Sequence, residues 1–131
     1  MAFPDAREAV AQLLTGMATR HGELAVYDVR PTDFEEHLPV AIVYRVGGTQ
    51  AQTERVDRIT VEVYAPATSP GNQTAQVADD VSTALADRYH VVAGVGVIDW
   101  VDVESVPVDV PFPSDVVGQY VATYRLTTRP E

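Results

Sequence analysis

Hydrophobic and polar positions alternate through two neighbouring stretches of the chain. In Leu38-Pro-Val-Ala-Ile-Val-Tyr-Arg-Val46, the residues Val40, Ile42, Tyr44 and Val46 share one face. In Arg55-Val-Asp-Arg-Ile-Thr-Val-Glu-Val-Tyr-Ala65, Ile59, Val61, Val63 and Ala65 share a face while Arg58, Thr60 and Glu62 lie opposite. Successive side chains of a strand point to opposite sides, so a period of two marks strands with one buried side. The pair predicts a β-hairpin whose apolar face needs a covering layer. Gly47, Gly48, Gln50, Gln52, Glu54 and Arg55 predict a long polar loop between the strands. A third alternation spans residues 117–128, with Tyr120, Ala122, Tyr124 and Leu126 inward and Gln119, Thr123, Arg125 and Thr127 outward. Residues 97–104 form a strand of mixed faces, and residues 23–29 a short one. Pro107, Pro111 and Pro113 predict a stiff, extended loop over residues 107–115, with Phe112 inside it.

Two stretches carry helical spacing instead. Pro4 suits a first turn, and Asp5 with Glu8 three residues on resembles a capping box. Val10, Leu13, Leu14 and Met17 follow as one apolar stripe, with Gly22 as the stop. The breaker-rich residues 66–71 precede a second helix over residues 72–89, whose stripe is Val77, Ala78, Val81, Ala84, Leu85 and Tyr89. Residues 30–37 read as a polar connection, because Pro31 and Pro39 oppose a helix there. Consecutive strands pair antiparallel, and two amphipathic helices can cover one side of a sheet. The expected fold is therefore α+β: a two-layer sandwich, mainly antiparallel, of about four to five strands with two helices on one face. At 131 residues the chain is one domain, large enough to bury a core without staples.

Composition narrows the chemistry. There is no cysteine, so disulfides, thiolate zinc sites and cysteine nucleophiles are excluded. No basic, apolar leader opens the chain, and the longest apolar run, residues 91–98, is far short of the ~20 residues of a membrane span. A soluble, cytoplasmic protein without membrane contact is expected. The formal net charge is −10. All of the basic residues are arginines, scattered along the chain, whereas a duplex-binding surface needs clustered cations. Tight DNA binding is not expected. The acidity serves either solubility or a passage through which DNA slides without sticking.

No catalytic arrangement is visible. The serines lack a nucleophile elbow. Gly94-Val-Gly96 lacks the third glycine and preceding strand of a dinucleotide loop, and without lysine there is no P-loop or Schiff base. His21, His37 and His90 lie far apart and read as isolated surface histidines, so neither a metal nor a cofactor is expected. Asp99, Asp102, Glu104, Asp109 and Asp115 form a loose acidic run without the spacing of a calcium loop. It reads as a charged edge that blocks unwanted strand pairing. Trp100, the only tryptophan, covers the core or anchors a protein contact.

The order of these pieces resembles the tail terminators of long-tailed actinobacterial phages. The resemblance runs over most of the chain. It rests on the Pro4-Asp5 helix, Leu38-Pro39 opening a strand, Arg45-Val-Gly-Gly48, Val61-Glu-Val-Tyr-Ala65, Ala78-Asp-Asp-Val81 and Tyr120-Val-Ala-Thr-Tyr-Arg-Leu126. Residues 91–115 match least. The resemblance implies a structural virion protein of the tail and neck, not an enzyme, assembled in the host cytoplasm. It implies a hexameric ring that caps the tail tube, ends its polymerisation and meets the neck or head-closure protein, while DNA passes through unbound. Heterologous ring contacts need two different patches on each subunit. The expected interface residues are Gly47, Gly48, Gln50, Gln52, Glu54, Arg55, Trp100, Pro111, Phe112 and Pro113. The expected channel-lining residues are Asp99, Asp102, Glu104 and Asp109. Another neck component, or a small ligand-binding domain or enzyme without a recognisable site, are the alternative readings.

Overall fold

The structure, a computed structural model, describes residues 2–67 and 73–131. Its centre is a five-stranded sheet in the order β3-β4-β5-β9-β8. The strands are β3 (Ala25–Tyr27), β4 (Val40–Gln50), β5 (Arg55–Pro66), β8 (Trp100–Val110) and β9 (Val117–Thr128). Every pairing is antiparallel except β3 with β4. Helices α1 (Ala6–Leu14) and α2 (Gln73–Leu85) lie on one face. Two small ribbons, β1 (Ala18–Thr19) with β2 (Gly22–Glu23) and β6 (His90–Val92) with β7 (Gly96–Ile98), flank the helices. This is the expected α+β sandwich.

Helix α1 starts as expected, with the Asp5 carboxylate accepting from the Glu8 N–H at 3.1 Å. It stops sooner than the stripe suggests. The Thr15 hydroxyl and N–H both reach the Ala11 carbonyl, and Gly16 follows at φ 72°. Met17 therefore leaves the helix and still packs against the core from the loop. Helix α2 also ends early, at Leu85 rather than residue 89. Asp87 adopts φ 59°, its N–H donates to the Val101 carbonyl, and His90 Nε2 donates to the Leu85 carbonyl. Tyr89 is thrown out to solvent. Asn72 and most of the breaker cluster lie outside the described residues.

Register decides which face each strand buries. Ala41 pairs with Val63 and Val43 with Val61, so Ala41 and Val43 face the helices. The face expected to do so, Val40, Ile42 and Tyr44, lies on the opposite side. There Val40 and Ile42 form a second small core with Phe34, Tyr64 and Val117. The face expected of β5, Ile59 to Ala65, and that of β9, Tyr120 to Leu126, both pack under the helices with Val10, Leu14, Val77, Val81 and Leu85. Residues 30–37 contain a 3-10 turn, Phe34–Glu36, which buries Phe34 in that second core.

Each of the two predicted loops is partly strand, residues 111–115 remaining loop as expected. Gly47 and Gly48 belong to β4, and the connection is only residues 51–54, closed by the Ala51 N–H to the Glu54 carbonyl at 2.7 Å. Pairing of Arg55 with Thr128 and Val56 with Thr127 holds this end in the sheet through a strand far along the chain. A Cβ on Gly48 would run into the Val56 carbonyl oxygen, so glycine is required where the hairpin closes up. Strand β8 runs on through Pro107 to Val110, with register shifts between Val103 and Ser105 and between Ser105 and Val108. An edge strand tolerates proline at such an irregularity because no ladder donor is missed.

Candidate functional site

Three polar regions stand out, beginning with the far end of the β4–β5 hairpin. Asp57 is only 1% exposed. Its Oδ1 accepts from Arg45 Nε at 2.6 Å and from Arg55 Nε at 3.1 Å. Its Oδ2 and the Thr128 hydroxyl, also buried, have no hydrogen-bond partner among the described residues. Two guanidinium groups thus share one carboxylate oxygen, and the trio carries a net positive charge. On the other face Arg58 stands directly opposite Arg125. That like-charge pair is relieved by Glu104, which takes Arg58 through both oxygens at 2.6–2.9 Å, and by Asp102, opposite Arg125 in the β8–β9 register. The Arg58 hydrogen bond holds the Glu104 carboxyl below the usual range, and Glu104 raises Arg58 in return. Gly48, Thr49, Val56, Arg58 and Arg125 line a shallow cleft of about 260 Å³ there.

The second region lies at the opposite end of the same strands. Phe34, Tyr64 and Phe112 meet in pairs at centroid distances of 5.2, 5.5 and 5.9 Å, each edge to face. The exposed Arg30 guanidinium sits 4.9, 5.5 and 5.2 Å from the Phe34, Tyr64 and Phe112 centroids. Tyr64 and Tyr44 both donate to Glu62, at 2.8 and 2.6 Å, and Gln119 donates to the Tyr64 hydroxyl at 2.9 Å. Burial, reinforced by the Glu62 carboxylate, pushes both phenols up to about 12. Phe112, expected at an interface, is thus held inside its own subunit, while Pro111 and Pro113 beside it remain exposed. Nothing local in the sequence announced this cluster, because its rings come from three distant segments.

The acidic residues do not converge as expected. Asp99 lies between β7 and β8 and is taken by Arg129 at 2.8 Å. Glu104 is taken by Arg58, Asp102 faces Arg125 across the sheet, and Asp109 pairs with Tyr120, whose side chain faces the helices. Asp102 and Asp109 have opposite parity along β8, so alternation itself puts them on different faces, and the two register shifts between them cancel. Trp100 is 43% exposed, so it does not cover the core. Gln50, Gln52 and Glu54 are exposed at the hairpin turn, Gly48 is exposed beside it, and Gly47 is half-buried.

The histidines have partners that the sequence did not suggest. His21 contacts the Gln76 side chain, and His90 caps α2. His37 lies 3.1 Å from Asp33 and, with Glu36, forms a group whose possible ligand atoms are within 4.8 Å of one another. All three are exposed, and the buried atoms without a partner among the described residues, Asp57 Oδ2 and Thr128 Oγ1, belong to a different region. No described helix is long and apolar enough to cross a membrane. No protein-family model matches the chain, and a search of curated proteins found no significant match.

Proposed function

We propose that this protein is a structural virion subunit that caps a phage tail tube as a ring, hexameric in keeping with the family it resembles, ends tube polymerisation and joins the tube to the neck. The observation that supports this best is the far end of the hairpin. No hydrophobic core residue comes from residues 45–58, yet apart from the bulge at Val46 and the turn 51–54 the segment is strand-paired, and it is fixed by a buried carboxylate and two arginines. A rigid polar tongue that contributes no core suits contact with other molecules. The resemblance read from the sequence supports the same role, and the exposed Trp100, Pro111 and Pro113 supply further contact surface. In this reading the tube protein and the neck or head-closure protein are the partners, and DNA passes without binding. Of the acidic residues, Asp102 and Asp109 are the better wall residues, since Asp99 and Glu104 are already bonded to arginines.

The test mixes purified protein with polymerising tube subunits and follows tube length by electron microscopy and assembly mass by native mass spectrometry. Capped tubes of limited length bearing a multi-copy ring are expected. Tubes that grow unchecked beside a monomeric protein would overturn the reading. A ring that binds heads but not tubes would move the protein to the neck.

A further inference from the structure

Arg30 is held unlike the arginines at the other end of the sheet. Arg45, Arg58 and Arg129 each meet a carboxylate at 2.6–2.9 Å. The Arg30 guanidinium meets none among the described residues, although Asp28, Asp33, Glu35 and Glu36 flank it in the chain. Its one hydrogen bond among them is long, Nη1 to the Tyr64 hydroxyl at 3.4 Å. What holds it is three ring faces, at 4.9–5.5 Å from their centroids, while its outer side stays in water.

The rings are fixed without it. Their planes cross at 65°, 87° and 72°, so they stand like the inner corner of a box with the cation inside. Phe34 is buried and set by its turn, whose Phe34 N–H reaches the Pro31 carbonyl at 3.2 Å and whose His37 N–H reaches the Phe34 carbonyl at 3.0 Å. Tyr64 is anchored through its hydroxyl by Glu62 and Gln119. Phe112 lies between two prolines, and its carbonyl accepts from the Ser114 N–H at 2.7 Å. A recess built in advance loses little when its occupant changes. Three ring faces turned on one point attract a guanidinium or a quaternary ammonium group through their quadrupoles. The surrounding charge favours the same ligand. Residues 28–36 carry four exposed carboxylates against Arg30 alone, and Glu62 lies one hydroxyl away from the corner.

We propose that the corner formed by Phe34, Tyr64 and Phe112 is a binding site for an external organic cation, a guanidinium or quaternary ammonium group, and that Arg30 occupies it as a displaceable stand-in. The incoming cation takes the place of the Arg30 guanidinium, which moves out into water. An arginine side chain of a partner protein and a free ammonium compound share this chemistry. The site does not depend on the ring-forming reading.

The test follows the ring resonances of Phe34, Tyr64 and Phe112 by NMR in the full chain. Methylguanidinium chloride and tetramethylammonium chloride are titrated against sodium chloride at equal ionic strength. Saturable ring shifts with the organic cations alone are expected. Arg30→Ala removes the internal competitor and should tighten binding about tenfold, as when a competent state of roughly one part in ten becomes the whole population. Phe112→Leu keeps an apolar side chain but removes one ring face, and should weaken binding at least about threefold. Tighter binding of methylguanidinium assigns the site to a partner's arginine, and of tetramethylammonium to a quaternary ammonium compound. Shifts no different from those with sodium chloride, in the wild type and in Arg30→Ala, would overturn the site. Equal affinity in the wild type and Arg30→Ala, or an Arg30→Ala chain whose thermal melt shows no folded state, would overturn Arg30 as a displaceable occupant. Unchanged binding by folded Phe112→Leu would overturn the three-ring corner.

Discussion

The two ends of strand β4 share one pattern of alternation and have opposite fates. At residues 40–43 both faces are buried, Ala41 and Val43 under the helices and Val40 and Ile42 under the Phe34–Tyr64 cluster. From Arg45 to Gln50 the strand is largely exposed on both faces, although it remains paired with β5 on either side of the bulge at Val46. Alternation therefore reports strand geometry at both ends, but burial only where another layer is present. The first end stabilises the fold, and the second is held rigid by polar contacts and left available.

The comparison is broken most directly at the covered end. Leu85 is fully buried beneath the sheet, and Leu85→Ala should cost ~2–5 kcal/mol through lost burial and the cavity left behind. A chemical denaturation curve within experimental error of wild type would show that α2 does not supply the layer. At the hairpin end the largest effect should come from Asp57. Asp57→Ala leaves Arg45 and Arg55 without their common acceptor, but both can turn to water. A loss of about 1–3 kcal/mol is expected, smaller than that of Leu85→Ala. An equal or larger loss would make the polar node as important to folding as the core.

Titration sharpens the contrast at the aromatic cluster. The Tyr44 and Tyr64 phenols lie at about 12 in the folded chain against 10.0 ordinarily. Between those values the folded state keeps protons that the unfolded state releases, so stability should fall as pH rises from 10 to about 12. Urea midpoints across that range test it, and Tyr44→Phe with Tyr64→Phe should flatten the slope. The smallest effect belongs to the turn. Replacing Gln52 and Thr53, both exposed, by Asn-Gly should change stability by no more than about 0.5 kcal/mol. If tubes are still capped normally by that variant, the turn itself makes no contact.

Much of this molecule follows from short-range pattern. The Asp5 cap, the α2 stripe of Val77, Val81 and Leu85, and the inward faces of β5 and β9 all appear where the residues put them. Each is a local property: a cap needs its own first turn, and an amphipathic face needs only its period. The α+β class follows from the order of those elements. What the tertiary structure alone decided is how they meet. It chose which side of β4 turns to the helices, since both sides are apolar at residues 40–43 and only the register with Val61 and Val63 separates them. It made strand of Gly47 and Gly48, which pair with Arg58 and Asp57 of β5 while β9 holds the other side of β5, and it carried β8 through Pro107 alongside β9. It brought Arg30, Phe34, Tyr64 and Phe112 into one cluster and gave Glu104 and Asp99 their arginine partners, Arg58 and Arg129. Those outcomes depend on contacts between distant segments, and a window of neighbouring residues carries no information about them.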